Sequence, residues 1–250
     1  MKSLTYKKLN AFASDGYLGN PAACIYLNKN QVLTGREMQK IAAEHKGFVS
    51  EVVYCTPLSE SEFLLKYYSS EREVDFCGHG TIACMYNLMK NRTALSCLSE
   101  VGIETSKGKL VVYNEIENLD AVFISSPKPE YLKTSLDEET VAKALDITPE
   151  AISDKHPIAL INAGLNTLIV PIAELETELS IWPDEQALKR FCISRGIDIV
   201  LVYTTEVSNH NNYLRTRVFA PTFGYLEDKA TGSGNSALGY YMINLGMWNG

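Results

Sequence analysis

The chain lacks most of the features that would classify it at once. No apolar run approaches the roughly 20 residues a membrane-spanning helix needs, so neither a transmembrane helix nor a membrane partner is expected. The opening residues, Met1-Lys2-Ser3-Leu4-Thr5-Tyr6-Lys7-Lys8, run into strand-like sequence without the apolar core of a signal peptide. Six cysteines, at 24, 55, 77, 84, 97 and 192, include no Cys-x-x-Cys pair. Most sit in apolar stretches, which suits reduced thiols in a cytoplasmic protein better than a disulfide framework. There is no Walker loop, no Gly-x-Gly-x-x-Gly opening a βαβ unit and no Gly-x-Ser-x-Gly elbow. His156 and His210 stand alone, without zinc-ligand spacing, so no metal and no cofactor is expected. Positive charge is also short: 23 Lys and Arg face 30 Asp and Glu, for a net charge of −7. That balance argues against nucleic acid as a partner, and an anionic substrate must be held by local donors against a repelling field.

What is present is an ordinary globular composition, 46% apolar and 21% charged over 250 residues. That length suits one large domain or two lobes with a real hydrophobic core. Residues 4–10 and 22–27 read as strands, joined by a shaped turn over 12–21 that carries two glycines and Asn20-Pro21. Residues 35–46 place Met38, Ile41, Ala42 and His45 on one helical face. Strand-like runs follow at 51–56 and 62–69, a helix from Gly78 to about Lys90, and strands at 99–105 and 108–114. The second half repeats the style, with strands at 121–125, 158–161, 167–171, 199–203 and 214–220 and surface helices at 137–145 and 184–196. No low-complexity linker separates the halves, and a soft boundary near 115 gives lobes of 1–115 and 116–250.

One stretch stands at the centre of this pattern. Val74-Asp75-Phe76-Cys77-Gly78-His79-Gly80-Thr81 reads as a strand end, a tight Gly-x-Gly turn and the start of an apolar helix. The amides at a helix start have no intrahelical acceptor and carry the positive end of the dipole, so they hold anions. The segment from Cys77 to Tyr86 aligns without gaps on Thr231 to Tyr240, and four of ten positions agree: Gly78/Gly232, Gly80/Gly234, Ala83/Ala237 and Tyr86/Tyr240. Two similar lobes follow, each a curved sheet around a central helix. If the two helix starts face each other, the cleft between them is a carboxylate site.

Four positions carry chemistry, each with a plainer alternative. His79 either caps the backbone of its helix or acts on a ligand, and the flanking glycines, which let a ligand approach closely, favour the second. Cys77 is either a thiol activated by the helix start or a small buried apolar residue. A two-thiol racemase needs a second cysteine at the echoed position, which is Thr231, so Cys77 ranks as an accessory with Asp75. Glu51, set in apolar strand sequence, lies either on a solvent face or buried, and burial would make it an acid/base near neutral pH. Asp228 precedes the second Gly-rich turn, either capping it or orienting His79 or a substrate ammonium, with Ser233 beside it for a carboxylate.

Read together, these segments resemble the PhzF family of phenazine biosynthesis-like isomerases, within the diaminopimelate epimerase-like fold. The matching pieces are Ala11-Phe12-Ala13 through Gly19-Asn20-Pro21-Ala22-Ala23, Ser50-Glu51, Glu73 through Thr81, and Arg217-Val218-Phe219-Ala220-Pro221 through Gly224, Glu227-Asp228 and Ala230-Thr231-Gly232-Ser233-Gly234. The resemblance implies an α+β fold of two similar lobes, each a curved mixed sheet or barrel around a central helix, with the active site between them. It also implies a homodimer, no cofactor, and a small carboxylate-bearing amino or hydroxy acid as substrate. The family's acid/base carboxylate falls on Glu51 and its supporting histidine, aspartate and serine on His79, Asp228 and Ser233. The implied binding set is Asn20, Gly78, Gly80, Gly232, Ser233 and Gly234. Lys229 stands where the family usually has proline, and Gly80 where many members have alanine, a form also similar to the proline racemase and hydroxyproline epimerase relatives. The chain ends just past the second central helix, where members normally continue, so a truncated or differently closed second lobe is expected. An amino-acid racemase acting through Cys77 and a non-catalytic binding homologue are the alternatives.

Overall fold

The computed structural model describes residues 3–14 and 16–248; expectations that touch Asp15 or the last two residues lie outside this set. The chain divides into two compact units, Met1–Pro127 with Ala230–Ser233, and Lys128–Lys229 with Gly234–Gly250. The division falls after Pro127 rather than near 115 because one more strand pairs onto the first sheet.

The first unit contains β1 (Thr5–Ala11), β2 (Asn20–Tyr26), α1 (Gly35–Glu44), β3 (Glu51–Pro57), β4 (Glu62–Ser69), β5 (Glu73–Val74) and α2 (Gly78–Asn91). It continues through α3 (Thr93–Ser96), β6 (Glu100–Thr105), β7 (Gly108–Glu115), α4 (Ile116–Leu119) and β8 (Ala121–Ile124). Its sheet runs in the order β1-β2-β3-β4-β6-β7-β8, with β5 also on β4. The two ends of that order, β1 and β8, both pack on α2, so the sheet curls around this helix. A helix enclosed in this way must be apolar on nearly every side, and α2 buries Ala83, Cys84, Met85, Leu88 and Met89 as well as its whole first turn.

The opposite face of β2, β3 and β4 is covered by α1. Thr34 starts that helix with a capping box, accepting from the Glu37 amide at 3.2 Å while the Glu37 carboxylate accepts from the Thr34 amide at 2.7 Å. Met38 and Ala42 pack onto Ala23, Ile25, Val52 and Tyr54, and the Tyr54 hydroxyl donates to the Met38 carbonyl at 2.7 Å. Strand alternation then decides what the other face carries: if Val52 and Tyr54 point to α1, then Glu51, Val53 and Cys55 point to α2.

The second unit holds β9 (Glu130–Leu132), α5 (Glu138–Leu145), β10 (Ala159–Asn162), β11 (Asn166–Pro171), α6 (Leu175–Ser180) and α7 (Glu185–Arg195). Then come β12 (Ile199–Thr204), β13 (Arg215–Phe219), β14 (Glu227–Asp228) and α8 (Gly232–Asn244). Its six strands run β14-β13-β12-β11-β10-β9, antiparallel except for β11 on β12. Leu168, Val170, Val200 and Val202 form one core with Val141 and Leu145 of α5 and Leu188 and Cys192 of α7. On the alternate positions, Tyr203 meets Tyr241 of α8 edge-on at 5.8 Å. The longer elements fall where apolar periodicity places them, with Asp137 and Asp184 as N-caps of α5 and α7. The two-residue β14, the three-residue β9 and the short α3, α4 and α6 are not expected from the sequence, and β5 only as a strand end, because segments this short have no periodicity and are made by their partners.

Candidate active site

Glu51 opens β3, parallel to Ala22 of β2 on one side and antiparallel to Ser69 of β4 on the other. Because α1 covers one face of this strand and α2 the other, β3 has no solvent face at this end. Glu51 is 3% exposed. Burial is thus fixed by the layers above and below the strand, which the strand's own sequence does not contain.

The carboxylate points at the first turn of α2. Cys77 is the N-cap of this helix, its Sγ accepting from the Gly80 amide at 3.3 Å. The same sulfur donates toward Glu51 Oε2 at 3.7 Å and lies 3.5 Å from His79 Nδ1 and 3.9 Å from His79 Nε2. His79 Nε2 is 3.3 Å from Glu51 Oε2, closing a triangle of carboxylate, thiol and imidazole. Both His79 and Cys77 are buried. Desolvation lowers the His79 pKa to about 4, so near neutral pH the ring is uncharged and its contact with Glu51 is a hydrogen bond rather than an ion pair. The ligand-type atoms of the three residues lie within 4.8 Å of one another, the one group of this kind among the described residues.

The turn is braced from below by residues the sequence reading did not single out. Thr81 Oγ1 donates to the Cys77 carbonyl at 2.8 Å and is itself 2.7 Å from the Tyr67 hydroxyl of β4. Tyr67 in turn packs edge-on against Phe76 at 6.2 Å. A Thr four residues after an N-cap, opposite a buried Tyr, is the signal that was there to read.

The segment Ala230–Ser233, which clusters with the first unit, is fastened beside this turn. Asn20 Nδ2 donates to the Ala230 carbonyl at 2.7 Å, and Ser50 Oγ donates to Asn20 Oδ1 at 3.0 Å. Asn20 is fully buried, and its amide serves as an internal strut. Gly78 and Gly232 meet backbone to backbone: a Cβ added to Gly78 would lie 3.2 Å from Gly232 Cα and 3.3 Å from the Ser233 amide nitrogen. Glycine is required because any side chain would hold the two turns apart. Ser233 is buried at this junction.

Asp228 sits on β14 opposite Val218 of β13, and Gly234 in the first turn of α8, both in the second unit. Lys229 is exposed. Asp75 is largely solvated and pairs with Lys107 at 3.0 Å, outside the triangle.

Comparison with known proteins decides the family. A family model described as phenazine biosynthesis-like protein, PhzC-PhzF, matches residues 9–249. The chain belongs to the PhzC-PhzF family. A Bacillus subtilis relative named as an uncharacterized isomerase, YfhB, is 29% identical over 248 residues, covering 98% of this chain and 83% of its own. The crystal structure of a PhzF-family phenazine biosynthesis protein from Bacillus anthracis superposes with a TM-score of 0.81 at 23% identity, covering 97% of this chain and 81% of that one. A hydroxyproline epimerase from Agrobacterium vitis, solved with bound trans-4-hydroxy-L-proline, shares the fold with a TM-score of 0.64 at 12% identity, covering 98% of this chain and 77% of that one. The PhzC-PhzF membership and its isomerase-named relatives make this chain an isomerase. The curled first sheet and the six-stranded second sheet correspond to the diaminopimelate epimerase-like architecture. No helix among the described residues is long and apolar enough to cross a membrane.

Proposed function

We propose that this PhzC-PhzF member moves a proton between two carbons of a small amino or hydroxy acid, with Glu51 as the acid/base and no cofactor. The observation that carries the reading is the buried Glu51 carboxylate, 3.3 Å from His79 and aimed at a helix start. On a substrate that also carries a carbon–carbon double bond beside that carbon, a carboxylate so placed can take a proton from the carbon next to the substrate's carboxyl group, leaving the electron pair delocalised over the double bond and the carboxyl group. It then returns the proton to another carbon on the same face, so that a double bond shifts and no atom is gained or lost. Neutral His79 steadies Glu51 and shares its proton, and Asp228 orients the substrate's amino or hydroxyl group. The substrate carboxylate is held at the paired turns of Gly78 and Gly232, with Ser233 beside them. The Gly80 amide already donates to the Cys77 sulfur, which leaves the first turn's contribution to Gly78 and His79. The epimerase relative's amino-acid ligand fits the same substrate class. A cytoplasmic homodimer belongs to this reading, and the free cysteines, five of six buried, suit it.

The test is solvent-deuterium exchange into candidate amino and hydroxy acids. Glu51→Gln is expected to lower exchange by about 10²- to 10⁴-fold, and undiminished exchange on a substrate the wild type turns over would remove Glu51 from the mechanism. One observation favours a second reading, an epimerase acting through Cys77: the thiol touches both other groups and accepts the Gly80 amide, which stabilises a thiolate. Cys77→Ser separates the two, since it abolishes exchange only in the second.

A further inference from the structure

The connection between β1 and β2 holds a residue in a conformation that costs stability. β1 ends at Ala11, which pairs with Asn20 across the sheet, and the chain leaves the strand at Phe12. Phe12 has a φ of 59°, in the left-handed region that a bulky side chain rarely adopts. The close return of the chain enforces it. Gly19, itself at a φ of 67°, lies against the same backbone: a Cβ there would collide with the Ala11 carbonyl oxygen and stand 2.9 Å from the Phe12 carbonyl carbon. Ser14 and Tyr17 close the turn beyond with two backbone hydrogen bonds, of 2.9 and 3.2 Å.

Backbone strain of this kind persists where the surrounding structure gains something from it. Core burial is not the gain, because Phe12 remains 43% exposed. What the conformation does is place the ring. The Phe12 Cζ lies 3.5 Å from where a Cβ on Gly232 would stand, so the ring tip sits beside the contact between Gly232 and Gly78. Asn20, opposite Ala11, bonds the Ala230 carbonyl at 2.7 Å and so holds the ring and the Gly232 turn in register. Phe12, Gly78 and Gly232 all belong to the first unit, as do Glu51 and His79. A half-exposed aromatic ring with its tip on this glycine has the rest of its apolar surface free for a ligand.

We propose that Phe12 determines specificity: its ring is the apolar wall for the part of the substrate next to the carboxylate. This rests on the carboxylate placement proposed above, at the turns of Gly78 and Gly232. The wall favours a carboxylate that carries an apolar body over one with a single methyl group. It also disfavours a second carboxylate, which would meet the negative face of the ring. The strained backbone is then a stability cost retained for binding, as at other functional sites.

The experiment uses the full chain and has two arms. The first is a ligand-observed NMR titration with benzoate and with acetate, which share the carboxylate and differ in the body. The wild type is expected to prefer benzoate. Phe12→Ala is expected to lose about five- to tenfold of that preference with acetate affinity unchanged, and Phe12→Tyr to keep it. The second arm compares the thermal unfolding of Phe12→Gly and Phe12→Ala. Both lack the ring, but only glycine relieves the left-handed backbone, so Phe12→Gly is expected to unfold at the higher temperature. An unchanged benzoate preference in Phe12→Ala overturns the wall. Phe12→Ala at least as stable as Phe12→Gly removes the strain and overturns the argument built on it. A wild type that binds neither ligand defeats the carboxylate site itself and the proposal with it, whereas a wild type that binds both equally overturns the role of Phe12 and leaves that site standing.

Discussion

The two units use one plan for different ends. In each, a sheet carries outer helices on one face and a Gly-rich helix on the other: α1 and α2 in the first, α5 with α7 and α8 in the second. The helix starts are related in sequence, Cys77-Gly78-His79-Gly80 against Thr231-Gly232-Ser233-Gly234. The first turn carries Cys77 and His79 with the buried Glu51 carboxylate aimed at it, where the second carries Thr231 and Ser233. The second unit spends its buried charge away from its helix start: Glu178, with no exposure, accepts from Arg215 at 2.9 Å, and Arg217 grips Glu227 through two bonds of 2.8 and 2.9 Å. A repeated backbone turn thus carries a thiol and an imidazole in one copy and hydroxyls in the other. In the function proposed, the anion cradle belongs to the repeat and the acid/base to one strand end.

The contrast is broken most severely at Glu51, through the exchange loss expected of Glu51→Gln. Next in size is the pH dependence carried by His79. Its ring titrates near 6.5 in the unfolded chain but at about 4 when folded. Between these values the unfolded chain binds the extra proton, so this stability is fully present above about pH 6.5 and lost as pH falls toward 4, by about 3 kcal/mol in all. Urea unfolding at pH 7 and pH 4.5 checks it. His79→Gln is expected to flatten that slope, and an unchanged slope would show that another group carries it.

A smaller effect compares the two glycines where the turns meet. A Cβ on Gly78 would press on Gly232 Cα at 3.2 Å, whereas a Cβ on Gly232 finds its nearest neighbour at 3.4 Å and the Phe12 ring at 3.5 Å. Gly78→Ala is expected to cost about 1–3 kcal/mol and to depress exchange as well. Gly232→Ala should cost less, and equal losses in thermal unfolding would mean that the two turns share the strain. The smallest effect is expected in the second unit. Burial raises the Glu178 pKa, and its Oε1 has no hydrogen-bond partner, so its charge is poorly accommodated. Glu178→Gln keeps an oxygen for Arg215 and is expected to change stability by less than about 1 kcal/mol with exchange unaltered. A larger loss would show that this charge holds the second unit together.

Much of this was legible in the chain itself. Alternating or continuous apolar runs gave β2, β3, β4 and β12, the surface-helix patterns from Asp137 and Asp184 gave α5 and α7, and the glycine pairs gave the two helix starts. The role of Cys77 was legible only in outline. Its sequence context suggested a thiol at a helix start, but not that its sulfur would touch Glu51 and His79 together. Asn20 was read as a site residue, and its strut to Ala230 depends on a segment 210 residues later in the chain.

By itself, then, the sequence determined the longer elements, the repeated Gly-rich turns and the family resemblance, because these depend on local backbone preference and short-range pattern. It left Glu51 divided between solvent and core. Only the tertiary structure decided that, since a strand's two faces are equivalent until something packs on each of them. With α1 on one side of β3 and α2 on the other, the carboxylate has nowhere to point but the turn that holds Cys77 and His79.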